Sequence, residues 1–320
     1  NYQLNSILTC SHISGLDMQN GKDNDWKTES LIIDFQNNTK TLVRVKSKYL
    51  KLEKLYFNSE LDKAIENLTG TFIHKHTCQL WNKENKSYRP YGSGVLLETK
   101  QAKYIITAAH VTNSIPNNSN LYIQIGDGMF FPISGDLFET DLSKSKIDLC
   151  IIRLTQEFYN KLPDSYLFLP ITKIRDHKKL LNAAQYCVMG YPEKSIVKTE
   201  KGKGTVAQAF YLKPANDKVF SYYNFNPSSF LILEMSGKGK NIKTDEKEKT
   251  ESHLYGMSGG GIWLMIITKI GKEYKTDYRL IGIATEFKKS KYYVIIGVRI
   301  NHLLSGLYHL GEVSIKPKIK

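Results

Sequence analysis

From Gly70 onward the sequence is a succession of short apolar or alternating segments separated by turn residues. They are Thr71–His76, Gly94–Leu97, Tyr104–Thr107, Leu121–Ile125, Leu149–Leu154, Tyr186–Met189, Phe230–Met235, Gly261–Ile267, Leu280–Ala284 and Tyr292–Val298. Runs of roughly four to eight such residues are strand-sized. Many short strands with few long helical patterns predict a mainly β chain, an antiparallel sandwich or barrel architecture. With 320 residues, 41% of them hydrophobic, there is enough apolar surface for one large core or two packed subdomains. The longest uninterrupted apolar run, Gly261–Ile267, falls far short of the roughly 20 residues of a membrane-spanning helix, so no such span is expected.

The first 65 residues read differently. Leu31–Phe35 and Thr41–Val45 look like two strands joined by a turn at Asn37-Asn38. Ser59 then caps a helix predicted over Glu60–Leu68, with Leu61, Ala64, Ile65 and Leu68 on one stripe. This portion is expected to be a small α/β extension or accessory module. The sequence opens on Asn1 rather than Met, which implies residues upstream of it, and no signal segment is legible. Gln156–Leu181 is more polar and irregular and suits a crossing between two barrels. Ser236–His253, rich in Lys and acids without apolar periodicity, reads as a mobile surface loop.

Three segments carry chemistry. Gly256-Met-Ser258-Gly-Gly-Gly261 surrounds a serine with glycines, which allows a tight turn that projects the hydroxyl and leaves neighbouring N–H groups for an oxyanion. A nucleophile elbow of the α/β-hydrolase type would lead into a helix. Here three glycines and the apolar run Ile262–Ile267 follow, which make a poor first helical turn and a good buried strand. That fold also orders its residues serine, acid, histidine, whereas the convincing histidine and acid here both precede the serine. Thr107-Ala-Ala-His110 places a histidine at the end of the strand Tyr104–Ile106, with Tyr91-Gly-Ser-Gly94 supplying a partner strand. Ile147-Asp148-Leu-Cys-Ile-Ile opens an apolar strand with an acid, a residue depleted in strands and suited to orienting a histidine. His12, His74, His76, His177, His253, His302 and His309 read as structural. His74, His76 and Cys78 would alternate on one strand face, a packing arrangement rather than a metal site.

In this order, Gly-Ser-Gly, Thr-Ala-Ala-His, Asp before an apolar strand, and Gly-X-Ser-Gly-Gly, the segments resemble the trypsin-like serine peptidase superfamily. The resemblance implies two antiparallel six-stranded β-barrels, with Met189-Gly-Tyr-Pro192 opening the second as in bacterial members. It divides the chain into an extension (1–65), a peptidase domain (66–312, the barrels at about 66–160 and 182–300) and a tail (313–320). It also implies a triad of His110, Asp148 and Ser258, an oxyanion hole from the N–H groups of Gly256 and Ser258, and no metal or organic cofactor. Thr285 would support the acid and line the substrate cleft; Ser252 falls at the pocket floor, with Glu286 nearby. Met257 stands where secreted animal members carry the acid of their zymogen switch, and no cysteine follows His110 to form the family's common disulfide. Both departures point to bacterial-type members rather than digestive enzymes.

The four cysteines, Cys10, Cys78, Cys150 and Cys187, lack metal-type pairing, and Cys150 and Cys187 sit in apolar runs as buried thiols would. A reducing, cytoplasmic location is expected over a secreted one. The net charge of +14 is spread along the whole chain without an aromatic-interleaved basic motif, which argues against nucleic acid as the partner. The expected partners are a protein or peptide substrate and an activating or effector protein. The implied activity is that of a selective regulatory serine endopeptidase. The alternative is a catalytically silent two-barrel scaffold that binds a partner.

Overall fold

The computed structural model describes residues 26–34, 39–46, 59–84, 87–113, 121–126, 128–177, 185–193, 196–199, 202–235, 238–240, 247–249, 254–270 and 273–313. From Thr77 onward, two antiparallel sheets follow one another. The first contains β1 (Thr77–Glu84), β2 (Ser87–Glu98), β3 (Lys103–Thr107), β4 (Leu121–Gly126), β5 (Met129–Pro132), β6 (Gly135–Glu139) and β7 (Cys150–Leu154), ordered β5-β4-β1-β2-β3-β7-β6. Its two edges belong to one stretch of chain. Between β5 and β6 lie only Ile133 and Ser134. Ile133 N donates to Leu121 O at 2.9 Å on one side, and Thr155 N to Ser134 O at 3.0 Å on the other. The sheet curls into a half-barrel whose edges are joined by a bend, where a closed hydrogen-bonded ring was expected from the sequence.

The second sheet does close. Strands β8 (Gln185–Gly190), β9 (Gln208–Pro214), β10 (Phe230–Glu234), β11 (Gly261–Ile270), β12 (Glu273–Lys289) and β13 (Tyr293–Arg299) form a six-stranded ring, β8-β9-β10-β13-β12-β11. Successive side chains of a strand face opposite ways, and here both faces are buried. Leu96, Ile105, Cys150 and Ile152 fill the curl of the first sheet, while their neighbours Val95, Leu97, Tyr104, Ile106 and Ile151 enter a separate core. Likewise Tyr186, Val188, Ile262 and Leu264 fill the ring, and Cys187, Met189, Trp263 and Met265 face that same separate core. Burial on both faces explains why these strands read as continuous apolar runs.

Helices complete this shared core. In α1 (Ser59–Asn67), Leu61 and Ile65 are buried in it, followed by Leu68 and Ile73; the division expected at residue 65 therefore falls inside a helix packed on both sheets. The helical winding continues beyond α1 through a π turn (Leu68–Phe72) and a 3-10 turn (Ile73–His76), where the sequence predicted a strand. The spacing Leu61–Ile65–Leu68 simply runs on to Ile73, so the apolar stripe overrides the β-branched residues Thr71 and Ile73. His74 and His76 therefore do not share a strand face with Cys78. His76 instead bonds Leu167 O at 2.7 Å and the Tyr278 hydroxyl at 2.8 Å. The site helix α2 (Ala109–Asn113), the short α3 (Gln156–Tyr159) and α4 (Asp217–Tyr223) follow. Last, α5 (Ile300–His309) buries Ile300, Leu303 and Leu307 in the shared core. Beyond it, the carboxylate of Glu312 accepts from Thr99 Oγ1 at 2.8 Å.

The crossing between the sheets is stitched to each of them. Leu169-Pro170 pairs in parallel with the end of β2, and Arg175 N donates to Leu280 O of β12 at 3.0 Å. Of the extension, the expected strand pair is present as Trp26–Asp34 against Thr39–Lys46; the turn between them lies outside the described residues. Within the charged loop, Lys238–Lys240 pairs with Lys247–Lys249, and Ser252 lies outside the described residues. Among those residues no helix is long and apolar enough to cross a membrane. Cys78, Cys150 and Cys187 are free and buried.

Candidate active site

His110 stands in the first turn after β3. The two alanines before it, Ala108 and Ala109, are fully buried, so larger side chains have no room there. Val111 N donates to Ala108 O at 3.1 Å, and Thr112 Oγ1 bonds both Ala109 O at 2.8 Å and the Glu139 carboxylate at 2.9 Å. The turn is thus tied to β6 of its own sheet.

Asp148 stands two residues before the start of β7 and is buried. Thr140 grips both of its neighbours: its hydroxyl lies 2.5 Å from Ile147 O and accepts from Leu149 N at 3.1 Å, and its N–H donates to Leu149 O at 3.0 Å. Both carboxylate oxygens then go to one partner. Oδ1 accepts from His110 N at 2.9 Å, and Oδ2 lies 2.6 Å from His110 Nδ1. A carboxylate receiving Nδ1–H fixes the tautomer in which Nε2 carries the lone pair. The acid side chain is 11% exposed and the imidazole 42%, so the pair is solvent-shielded on the acid side and open at the ring. Beneath it, burial pushes the Cys150 thiol up to about 12, and this sulfur stays protonated and inert.

Ser258 comes from the other sheet, on the loop before β11. Met257 N donates to Leu254 O at 3.1 Å with Gly256 at φ 90°, which is a type II turn with glycine at the position requiring positive φ. The Tyr255 carbonyl of this turn accepts from Glu193 N at 2.7 Å. In a trans peptide the carbonyl and the following N–H point opposite ways, so Gly256 N–H faces away from Glu193. Among the described residues, no acceptor takes the N–H of Gly256 or of Ser258. On the far side, Gly259 has φ 87°, and a Cβ there would run into Ser93 O and Thr107 Oγ1. Gly259 N donates to Ala284 O at 2.7 Å, and Ala284 N to Gly260 O at 2.8 Å. Met257 is buried among the apolar residues of the ring, so this loop is anchored by packing.

Ser93 joins the two sheets at this point. It is fully buried; its N–H donates to Ser258 O at 2.8 Å, its hydroxyl donates to Gly256 O at 2.7 Å, and it accepts from Tyr191 N at 2.8 Å. Its neighbour Gly92 marks where the helix that carries His110 and the backbone of the serine loop come close to one strand. A Cβ there would lie 2.7 Å from Val111 Cγ1 and 3.4 Å from Ser258 O.

The Ser258 hydroxyl donates to Thr285 O at 3.1 Å. Thr285 sits at a register shift of β12 between the pairs Ala284–Gly297 and Glu286–Ile296, and a bulge of this kind re-aims backbone groups. Its own hydroxyl donates to Ile296 O at 3.4 Å, so its expected support of the acid is not the bond it makes. What Thr285 offers the site is its carbonyl. Glu286 pairs with Lys288 at 2.8 Å. From Thr285 to Lys289, β12 pairs with β13 alone among the described residues, leaving its other edge open beside the serine. An open cleft of about 550 Å³ lies next to Asp148, lined in part by Lys146, Phe225 and Glu286.

The structure thus joins His110 to Asp148, joins Ser258 to Thr285 on the neighbouring sheet, and places Asp148 and Glu286 on one cleft. Sequence reasoning missed Ser93, Thr140 and Glu193, whose contributions are hydrogen bonds to residues that only the fold brings beside them. The Gly-Ser-Gly around Ser93 was visible as a partner strand and as part of the motif order, with no role for the Ser93 hydroxyl. No metal-type cluster of His, Cys, Asp and Glu occurs among the described residues. In comparisons with known proteins, no family model matches the chain and no curated protein matches it.

Proposed function

We propose that the chain is a serine endopeptidase of the trypsin-like, two-barrel kind. The observation that carries this reading is the grip of Asp148 on His110 through both carboxylate oxygens, at 2.6 and 2.9 Å, beside a serine turn with two unengaged N–H groups. Ser258 Oγ attacks the peptide carbonyl while His110 Nε2 takes its proton, which requires the hydroxyl to exchange Thr285 O for the imidazole. The developing oxyanion is received by the N–H groups of Gly256 and Ser258. His110 then returns the proton to the leaving amine, and a water activated by the same imidazole releases the acid product from Ser258. Asp148 holds the ring and balances its charge when protonated. An extended substrate adds to the open edge of β12 from Thr285 onward, a recurrent way for sheets to bind peptides.

The test is labelling with a fluorophosphonate probe, read as an intact-mass increase, on the chain and on its Ser258→Ala variant. An adduct on the former that the variant lacks supports an activated nucleophile. Failure of both to react overturns the peptidase reading in favour of a silent scaffold.

A further inference from the structure

We infer that the cleft beside Asp148 selects an acidic side chain of the bound peptide, through the ammonium group of Lys146. This deepens the peptidase reading and rests on it in taking the occupant to be a peptide. The cleft is lined by Lys144, Lys146, Tyr223, Phe225, Glu286 and Lys288 as well as Asp148. Its charges are mostly spoken for. Both oxygens of Asp148 are on His110, Glu286 is 2.8 Å from Lys288, and Lys144 is 2.9 Å from Asp141. Lys146 is different. Its ammonium donates to Asn224 O at 3.1 Å and lies 5.5 Å from the centre of the Phe225 ring. Among the described residues it meets no carboxylate. A carbonyl and an aromatic face hold it in place without neutralising it, so the cleft keeps one positive charge with unfilled donors.

Position matches reach. Glu286 and Lys288 follow Thr285 on the open edge of β12, so the cleft begins where the Ser258 hydroxyl is bound. At about 3.3 Å per residue, Lys288 lies roughly 10 Å along the strand from Thr285. A peptide paired to that edge brings a side chain two or three residues from the scissile bond over Lys146. A carboxylate there completes the donors of the ammonium; a lysine there meets an uncompensated like charge.

The test separates binding from chemistry. Fluorescein-labelled heptapeptides that differ only by glutamate, glutamine or lysine at one position are titrated onto the Ser258→Ala chain, followed by anisotropy. The glutamate peptide is expected to bind about fivefold more tightly than the glutamine one, the upper range for an exposed ion pair, with the advantage shrinking as salt rises. Adding Lys146→Glu is expected to turn the preference toward the lysine peptide; Lys146 is exposed, so the fold tolerates the exchange. Equal affinities for glutamate and glutamine, or a preference that survives Lys146→Glu, overturns the inference. So does a single-stranded oligonucleotide that binds more tightly than the peptide with the same dependence on Lys146. Absence of fluorophosphonate labelling in the unmodified chain refutes the peptidase reading by itself and leaves this binding result standing.

Discussion

Replacing Ser93 by alanine removes one oxygen that is both donor and acceptor at the junction of the two sheets. Gly256 O loses a 2.7 Å bond, and Tyr191 N–H loses its 2.8 Å acceptor. Each such bond contributes about 0.5–1.5 kcal/mol, and a buried N–H left without an acceptor costs about 1–3 kcal/mol. The two overlap in part, which gives roughly 2–4 kcal/mol for the substitution. In a chain of 320 residues that corresponds to a fall in Tm of roughly 3–6 °C. The assay is urea unfolding followed by tryptophan fluorescence, with the fluorophosphonate rate measured on the same samples at a temperature where both chains are folded. Labelling is expected to slow, because the carbonyl of Gly256 borders the turn that presents its N–H. Ser93→Cys, which keeps a weak donor and acceptor, is expected to lie between the two. A Ser93→Ala chain within about 0.5 kcal/mol of the parent, the range of a neutral surface exchange, refutes the reasoning. It would mean that the junction is held by packing and by the backbone bond from Ser93 N to Ser258 O.

Two further outcomes are expected. Asp148→Asn offers Nδ1 an amide that can donate to it, which places the imidazole proton on Nε2. Fluorophosphonate labelling is then expected to fall by about 10²–10⁴, while urea unfolding shows whether stability has moved as well. His177 is held near 4, chiefly by burial and then by the charges of Arg299 and Arg175. Its ordinary value is 6.5, so between the two the unfolded chain binds a proton that the folded chain refuses. Stability from this group is complete above pH 6.5 and is lost as pH falls toward 4, by up to about 3 kcal/mol. His177→Gln, able to keep the 2.9 Å bond to the Tyr186 hydroxyl, is expected to lack that part of the acid loss. Identical pH dependence of urea midpoints in the two chains would refute it.

Much of the fold was legible because burial on both faces writes itself as apolar runs: Tyr104–Thr107, Leu149–Leu154 and Gly261–Ile267 are strands where the sequence put them. What was not legible has physical causes. Met129–Pro132 and Gly135–Glu139 are largely exposed, so no alternation marks them, and they were passed over although they make both edges of the first sheet. The stretch Thr71–His76 is rich in β-branched residues, and only the buried stripe of α1 running into it reveals a helical path. At the candidate site, His110, Asp148 and Ser258 stood out because their residue types are unusual in their settings. The groups that hold them, Ser93, Thr140 and the N–H of Glu193, are ordinary residues whose partners only the fold selects. Ser252 and most of the charged loop lie outside the described residues.

The core between the sheets has a mechanical consequence. Trp263, Val95, Leu61 and Leu303 belong to the ring, the half-barrel, α1 and α5 in turn, and all four lie in one packed mass. A single keystone of this kind opposes rocking of one sheet against the other, because any such motion must disturb close-packed side chains from both. The turn with His110 and Asp148 belongs to the half-barrel and the Ser258 loop to the ring, and the shared core ties these two supports together. Adaptation to a ligand is left to hydroxyl rotation and to exposed side chains, above all Lys146 in the cleft and Tyr255 on the serine turn, which is among the most exposed large side chains of the described residues.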